Sequence, residues 1–568
     1  MPARRAPAAA ATMFAADSRA LGRSALAAAA GMALLATGCA RDSRLLPETL
    51  QRSPGPTPLI RIAITNPQSI SPLTSSSRWG VFTVKTICDT LVGFDPGTGT
   101  LKPAIAQSWT IAPDGKKVTF KIRPGVKFHN QRDLVAADYV WSLSRFAHPK
   151  TGSAQRFLFD KVAGYQELQA GRAETLAGVL APDPSTLEIN LSTPFAEFPA
   201  VMAHPNAGAA VPKEEVEKSA EAFDAKPVCT GPYALEAPWN AGDGIKLQQF
   251  AGYYGENQSF SHGGRGHARR IEMDIVSDED EAYGRLEAGG AGVSPVPLGR
   301  LAAARAVSGR LSSGPSGHVS YIGLPVKRGP YDNEQFRMAL ALAIDRKGIV
   351  GGLLGKSRQV PGGFLPASAG RASQNACGDS VKPSADPEGA KAALAAAGVD
   401  PAATKPSVYF NSGGGHEKWV EAVASGWKSI LGIEPALQPR EWNEYLNYLA
   451  DPGPEGPFRL AWAVKFPSAE AMYEPLFSSS SLDNFSRFSS PEFDGLLAKA
   501  RSTADDETRA RIYAEANAVL CRQIPIIPMW FGLNHMAFSG DLEAVPGSAG
   551  GRVDVFGDPV VRDLASFR

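Results

Sequence analysis

Lys102-Pro103-Ala104-Ile105-Ala106-Gln107-Ser108-Trp109, then Pro113-Asp114-Gly115, then Val118, Phe120 and Ile122 alternating with polar residues, is the stretch that decides the architecture of this chain. An Asp-Gly pair beside an alternating stretch marks a β-hairpin, because those residues tolerate the positive φ of a tight turn while the alternation puts one strand face on a core. After Arg123-Pro124-Gly125-Val126-Lys127-Phe128-His129, residues Ala136-Ala137-Asp138-Tyr139-Val140-Trp141-Ser142-Leu143 open a helix. Taken alone, this is an α+β module. Upstream, Leu59 to Thr65 is apolar and β-branched, which predicts a strand. Gln68 to Ser77 reads as a Ser/Pro-rich loop, and Trp79 to Val92 places apolar residues at helical spacing.

Further blocks follow in order: Thr230-Gly231-Pro232-Tyr233, Phe336-Arg337-Met338-Ala339-Leu340-Ala341-Leu342-Ala343-Ile344-Asp345-Arg346, and Asp386-Pro387-Glu388 with Ala390 to Gly398. Trp427 to Ile433, Phe488-Ser489-Ser490-Pro491-Glu492-Phe493-Asp494 and Ile524-Pro525-Ile526-Ile527-Pro528 complete the series. Together with the hairpin, this ordered set resembles the solute-binding proteins that serve peptide and nickel ABC importers, from Leu59 to Phe531. The resemblance implies an α/β clamshell: two mixed-sheet lobes joined by a hinge of crossing segments, an extra subdomain in lobe one, and ligand enclosed between the lobes. The expected division is lobe one over 58–318 with an insert at about 98–206, lobe two over 319–504, and a return to lobe one over 505–568. The crossing to lobe two is expected near Val319-Ser320-Tyr321-Ile322-Gly323-Leu324, and crossing segments make the motion a hinge.

Near the N-terminus, Arg4, Arg5, Arg19 and Arg23 precede an uncharged stretch from Ser24 to Gly38, and Leu34-Leu35-Ala36-Thr37-Gly38-Cys39 ends it. Basic flank, apolar segment and small residues form a secretion signal. Its end resembles the lipobox of bacterial lipoproteins, with Ala36 where Leu, Val or Ile is usual. Residues 1–38 are therefore expected to be a lipoprotein signal peptide and Cys39 the acylated first residue of the mature chain, and Met13 is an alternative start. The apolar run is shorter than the ~20 residues of a membrane span. Residues 39–57, with Ser53-Pro54-Gly55-Pro56-Thr57-Pro58 at their end, read as a tether. The expected location is extracytoplasmic, anchored to the cell membrane.

Beyond the signal, no apolar run is long enough to be a permease span. Lys and Arg total 58 and Asp and Glu 57, well mixed, for a net charge of +1, so the chain lacks the basic footprint of a nucleic-acid binder. Cys88, Cys229, Cys377 and Cys521 stand apart from Cys39, in a compartment where disulfides persist. Two bridges, in any of three connectivities, and free buried thiols are both compatible with that spacing.

Catalysis finds no support. The eight histidines, 129, 148, 204, 262, 267, 318, 416 and 535, form no His-Glu-x-x-His or other metal spacing, and no cysteine has a CxxC partner. His262 and His267 fall in a Gly-rich loop. Gly351 to Ser357 imitates a phosphate loop but is a residue short and follows a helix. Neither a dinucleotide fingerprint nor a Gly-x-Ser-x-Gly elbow occurs. The chain is expected to be a monomeric binding protein without cofactor or metal, its partners a peptide or peptide-like solute and the permease and ATPase subunits of an ABC importer. A peptide sensor of the same fold, or a binder of an anionic non-peptide solute or metal chelate, is the alternative.

The ligand question turns on Arg459-Leu460-Ala461-Trp462-Ala463-Val464-Lys465-Phe466-Pro467. In the oligopeptide and dipeptide binders this block usually reads Gly-Trp-x-x-Asp-Tyr or Gly-Trp-x-x-Asp-Phe, and its backbone pairs with the bound peptide as an added strand. The family's aspartate, which holds the peptide's α-amino group, falls at Lys465, where an ammonium facing an ammonium is unfavourable. Another cleft carboxylate, a Lys465 that points away, or a ligand carrying a carboxylate, phosphate or anionic chelate would each resolve the conflict. Ala461, Trp462, Ala463 and Lys465 are thus candidate ligand residues, with Arg78 and Trp79 from the early loop. Asn411 and Trp442 complete the set, although Tyr409-Phe410-Asn411 reads mainly as a buried strand end.

Overall fold

The computed structural model describes residues 57–255, 266–307, 309–374, 377–545 and 551–566. Lobe one begins with β1 (Thr57–Thr65) and α1 (Arg78–Ile87). Ser77 caps α1 by accepting the Gly80 N–H. The helix stops at Ile87, short of the expected Val92, because Cys88 turns extended and is bonded to Cys229.

The hairpin turns out as its sequence dictates: β2 (Ala106–Ile111) and β3 (Lys117–Ile122) pair antiparallel around Gly115, whose φ is +68°. A Cβ at Gly115 would also lie 2.7 Å from the Arg501 carbonyl oxygen, so bare backbone is required there for packing as well as for the turn. α2 (Ala136–Ala147), β4 (Val179–Asp183) and β5 (Thr186–Asn190) complete a four-stranded insert of order β2-β3-β5-β4. Its core unites Val118, Phe120 and Ile122 with Tyr139, Leu143 and Phe146.

β6 (Tyr233–Leu235), β7 (Ile245–Gln249), β8 (Ala268–Val276) and β9 (Val293–Pro295) surround β1, over a core that includes Ile62, Trp79, Phe82 and Met273. The chain then crosses on β10 (Leu311–Gly323). Lobe two contributes α3 (Glu334–Leu342), β11 (Arg358–Gln359), β12 (Ser407–Asn411), β13 (Ala436–Arg440), α4 (Trp442–Ala450), β14 (Phe458–Ala463), α5 (Glu470–Phe477), α6 (Pro491–Ser502) and α7 (Asp506–Gln523). The chain recrosses on β15 (Ile526–Phe538).

The two lobe sheets are continuous. One sheet of 11 strands runs β13-β12-β14-β10-β15-β9-β1-β8-β7-β6, with β11 also on β15. β10 and β15, 13 residues each, pair through both lobes, and their register breaks between Pro315 and Val319. That irregularity is where the sheet passes from one lobe to the other. The return to lobe one expected at 505 comes later: Ile512, Tyr513, Ala516, Val519 and Leu520 of α7 sit in one core with Tyr321, Phe458 and Met472, so α7 belongs to lobe two. An 18-residue helix with one apolar stripe packs where that stripe is covered, and only β15 carries the chain back.

Two disulfides brace the lobes, Cys88–Cys229 in lobe one and Cys377–Cys521 in lobe two. Just past α3, Asp345 caps the next turn through the Gly348 N–H. Arg346 is fully buried and donates to the carbonyls of Pro528, Ala341 and Lys382. Both residues are structural, as their place at the end of an apolar helix implies. The Gly351–Ser357 loop presents carbonyls, those of Gly355 and Lys356 accepting from Arg305, which is the opposite of a phosphate cradle.

Candidate ligand site between the lobes

The site is built where β14 meets the crossing strands. β14 pairs antiparallel with β10, Ala463 opposite His318 and Ala461 opposite Ser320, and the Val464 N–H continues the ladder to the Gly317 carbonyl at 2.9 Å. In an antiparallel ladder, residues that bond to the partner alternate with residues whose N–H and C=O point away. Trp462 therefore faces β10, and Ala461 and Ala463 turn their backbone groups to the other edge. There β12 reaches β14 only at Tyr409 opposite Phe458, and no described strand lies against Ala461–Ala463. The edge is open, small side chains leave it uncrowded, and it lies beside the crossing.

Lys465 follows on the segment that joins the lobes. Val464 bonds to Gly317, Phe466 packs into the core of the insert with its ring 6.5 Å from that of Phe195, and Ser468 donates its hydroxyl to Glu197 of the insert. Glu197 also accepts from the Tyr513 hydroxyl at 2.6 Å and lies 3.4 Å from Arg509 Nε, and the Ala196 N–H reaches the Arg501 carbonyl at 2.7 Å. The insert thus touches lobe two directly.

The electrostatics around Lys465 are one-sided. Burial lowers its ammonium pKa. Burial, followed by the Lys465 charge, holds His204 down at about 3. His318 is lowered to about 4 by burial and then by Lys465, the Ser316 contact opposing, with Arg358 and Arg78 adding to the depression. Both imidazoles are neutral at pH 7. Among the described residues no carboxylate bonds to Lys465. Of the neighbouring cations, Arg78 Nε lies 3.7 Å from Asp558, and Arg358, whose pKa burial lowers against the opposing pull of Glu279, donates from Nη1 to the Ser357 carbonyl at 2.9 Å.

The structure brings Ala461, Trp462, Ala463 and Lys465 together on one segment and leaves other candidates elsewhere. Trp462 is half-buried and spends its indole N–H on the Ala471 carbonyl, 2.8 Å away. Trp79 is a core residue rather than a cleft wall: it is 4% exposed and stands edge-on to Phe82 at 5.5 Å, because the apolar face of α1 turns onto β1 and β8. Arg78, the first residue of the helix, lies over its ring at 4.7 Å. Asn411 is likewise structural, its Oδ1 accepting from Arg459 Nη1 at 2.9 Å, since a buried guanidinium without a carboxylate needs an acceptor. Trp442 opens α4 and packs beside Tyr445 on the lobe-two core. His204, His318 and Arg358 were not singled out by sequence. Only the fold brings His204 and His318 near Lys465 and Arg358 near His318, although the position of His318 beside the crossing expected at Val319 is a usable signal.

Cys39 and His262 lie outside the described residues. Among the described residues no group of three His, Cys, Asp or Glu side chains could hold a metal ion, and no helix is long and apolar enough to cross a membrane. A cavity of about 80 Å³ in lobe one, lined by Phe82, Lys85, Phe94, Ala203, Asp554 and Arg562, is too small for a peptide. Its charges are paired, Lys85 with Asp554 and Arg562 with Asp89.

Comparison with known proteins agrees with this geometry. The family described as bacterial extracellular solute-binding proteins, family 5 Middle, matches residues 100–484, and the chain belongs to that family. It is 27% identical over 485 residues to the probable deoxycholate-binding periplasmic protein YgiS of Escherichia coli strain K12, covering 82% of this chain and 86% of that one. It is 28% identical over 458 residues to the periplasmic oligopeptide-binding protein OppA of Salmonella typhimurium, covering 77% and 80%. In fold it is similar to the murein tripeptide-binding protein MppA in its unliganded open form, with a TM-score of 0.79 at 22% identity, covering 91% of this chain and 98% of that one.

Proposed function

We propose that this protein is the substrate-binding component of an ABC importer, capturing peptides or peptide-like solutes between its lobes and delivering them to a permease. The observation that carries this reading is the open edge at Ala461–Ala463. Two outward N–H and C=O pairs beside the crossing strands offer an extended backbone the hydrogen bonds of an added strand, independent of its side chains. Names of similar proteins, oligopeptide-binding OppA among them, support the ligand class. Lobe rotation about β10 and β15 would close over the ligand and change the surface shown to the permease. Acylation at Cys39 would hold the mature chain at the outer face of the cell membrane, with the following polar segment as its leash.

The test is mass spectrometry of ligands released on denaturing the purified mature protein, followed by calorimetric titration of what appears. Co-purified peptides that rebind at micromolar or better affinity are the expected result. A protein that releases and rebinds no peptide refutes the reading. Labelling of cells with an alkyne fatty acid checks the anchor, since Cys39→Ala should abolish incorporation and release the protein from membranes.

A further inference from the structure

We infer that Lys465 receives a carboxylate of the ligand, so that peptides are held by the negatively charged end rather than by the α-amino group. This rests on the peptide-capture reading for the identity of the ligand, but the site itself is argued from the charges between the lobes.

Three observations converge on Lys465. Its neighbours in sequence tie it to both lobes: Val464 to the crossing strand, Phe466 to the insert core and Ser468 to Glu197. Its backbone is therefore held at the junction, two residues beyond the open edge of β14. Next, the ionisable groups near it are His204 from the insert and His318 from β10, with Arg358 and Arg78 beyond His318. Arg78 is paired with Asp558, and Arg358 is bonded to the Ser357 carbonyl and feels the Glu279 charge, while among the described residues no carboxylate bonds to Lys465. Finally, the two histidines carry no positive charge at neutral pH, and burial alone acts on Lys465, so that among the described residues no carboxylate offsets its charge. An ammonium withdrawn from water needs an anion, and when the lobes close, the anion available is the ligand's. A peptide α-ammonium at the same place would repel it. A peptide added to Ala461–Ala463 with its carboxylate at Lys465 runs parallel to β14, since Lys465 lies C-terminal to that edge.

Carboxylate and carboxamide pairs test this on the mature protein: trialanine against trialanine amide, with N-acetyltrialanine as the amino-blocked control, and deoxycholate against its amide as a non-peptide pair. The expected result is that trialanine and N-acetyltrialanine bind within about threefold of one another and the amide at least about tenfold more weakly. Lys465→Gln should shrink that acid preference to under about threefold, and Lys465→Arg should keep it, with circular dichroism confirming that both variants fold. Equal binding of acid and amide by the wild type, survival of the preference in Lys465→Gln, or a tenfold loss on N-acetylation would each overturn the inference. Peptides that bind without acid preference leave peptide capture standing and remove the carboxylate site. A Lys465-dependent preference confined to the deoxycholate pair keeps the site and removes peptide capture. Binding of none of these probes overturns both.

Discussion

Ala463→Pro isolates the contribution of the open edge. The Val464–Gly317 bond fixes the phase of the ladder, so the Ala463 N–H points away from β10 and the substitution removes a donor that the fold does not use. Proline is tolerated on a strand edge whose N–H faces outward, and the residue it restricts, Trp462, is already extended within β14. A net backbone hydrogen bond contributes about 1 kcal/mol, and a ligand carbonyl left unpaired after lobe closure costs about 1 kcal/mol more. The sum, roughly 2 kcal/mol, corresponds to about a 30-fold rise in Kd. Calorimetry with a peptide identified from the purified protein measures this, beside thermal melting to show that the fold survives. Unchanged melting with affinity within about threefold of wild type would refute strand addition at β14.

Other perturbations follow from features away from the edge. Reduction of either disulfide, closing segments of 141 and 144 residues, should lower stability by roughly 3–5 kcal/mol, read as the shift in a urea midpoint with and without dithiothreitol. Arg346→Met strips donors from three buried carbonyls and should cost about 3–5 kcal/mol; Trp419, Trp427 and Trp530 share that core, so tryptophan fluorescence in urea reports it. Arg346→Lys should recover little, because a single ammonium cannot span the positions a planar guanidinium reaches. Acid should destabilise the protein between pH 6.5 and about 3. Burial lowers His129 and His318 to about 4 and His204 and His416 to about 3, so the unfolded chain takes up protons that the folded one refuses. Each contributes stability that is complete above 6.5 and is lost on acidification by up to about 1.4 kcal/mol per pH unit, a slope that His129→Gln should reduce.

Local signals in the sequence map well onto the structure. Pro113-Asp114-Gly115 makes the turn its composition requires, Ala136 to Ala147 is a helix, and Asp345 and Arg346, just past α3, are structural residues. What local pattern leaves open is which surface covers an amphipathic face. Trp79 reads equally as wall or core until β1 and β8 are placed beneath α1, and α7 reads as part of the returning chain until its stripe meets Phe458 and Met472. The site divides the same way. β14 and Lys465 stand on contiguous residues and are legible as a block. His204, His318 and Arg358, separated by more than a hundred residues at their extremes, meet only through the insert and the crossing strands.

The direct contact between insert and lobe two has a mechanical consequence. A rigid body held to another at two separate places can turn freely only about the line through both. One place is the register break near Gly317, and the other is the cluster of Glu197 with Ser468, Tyr513 and Arg509. The segment from Val464 to Ser468 runs between them, which puts Lys465 close to the rotation axis. While those bonds hold, the rims of the lobes sweep the longest arcs and Lys465 scarcely moves, so a group that met it in the open protein would stay within its reach after closure.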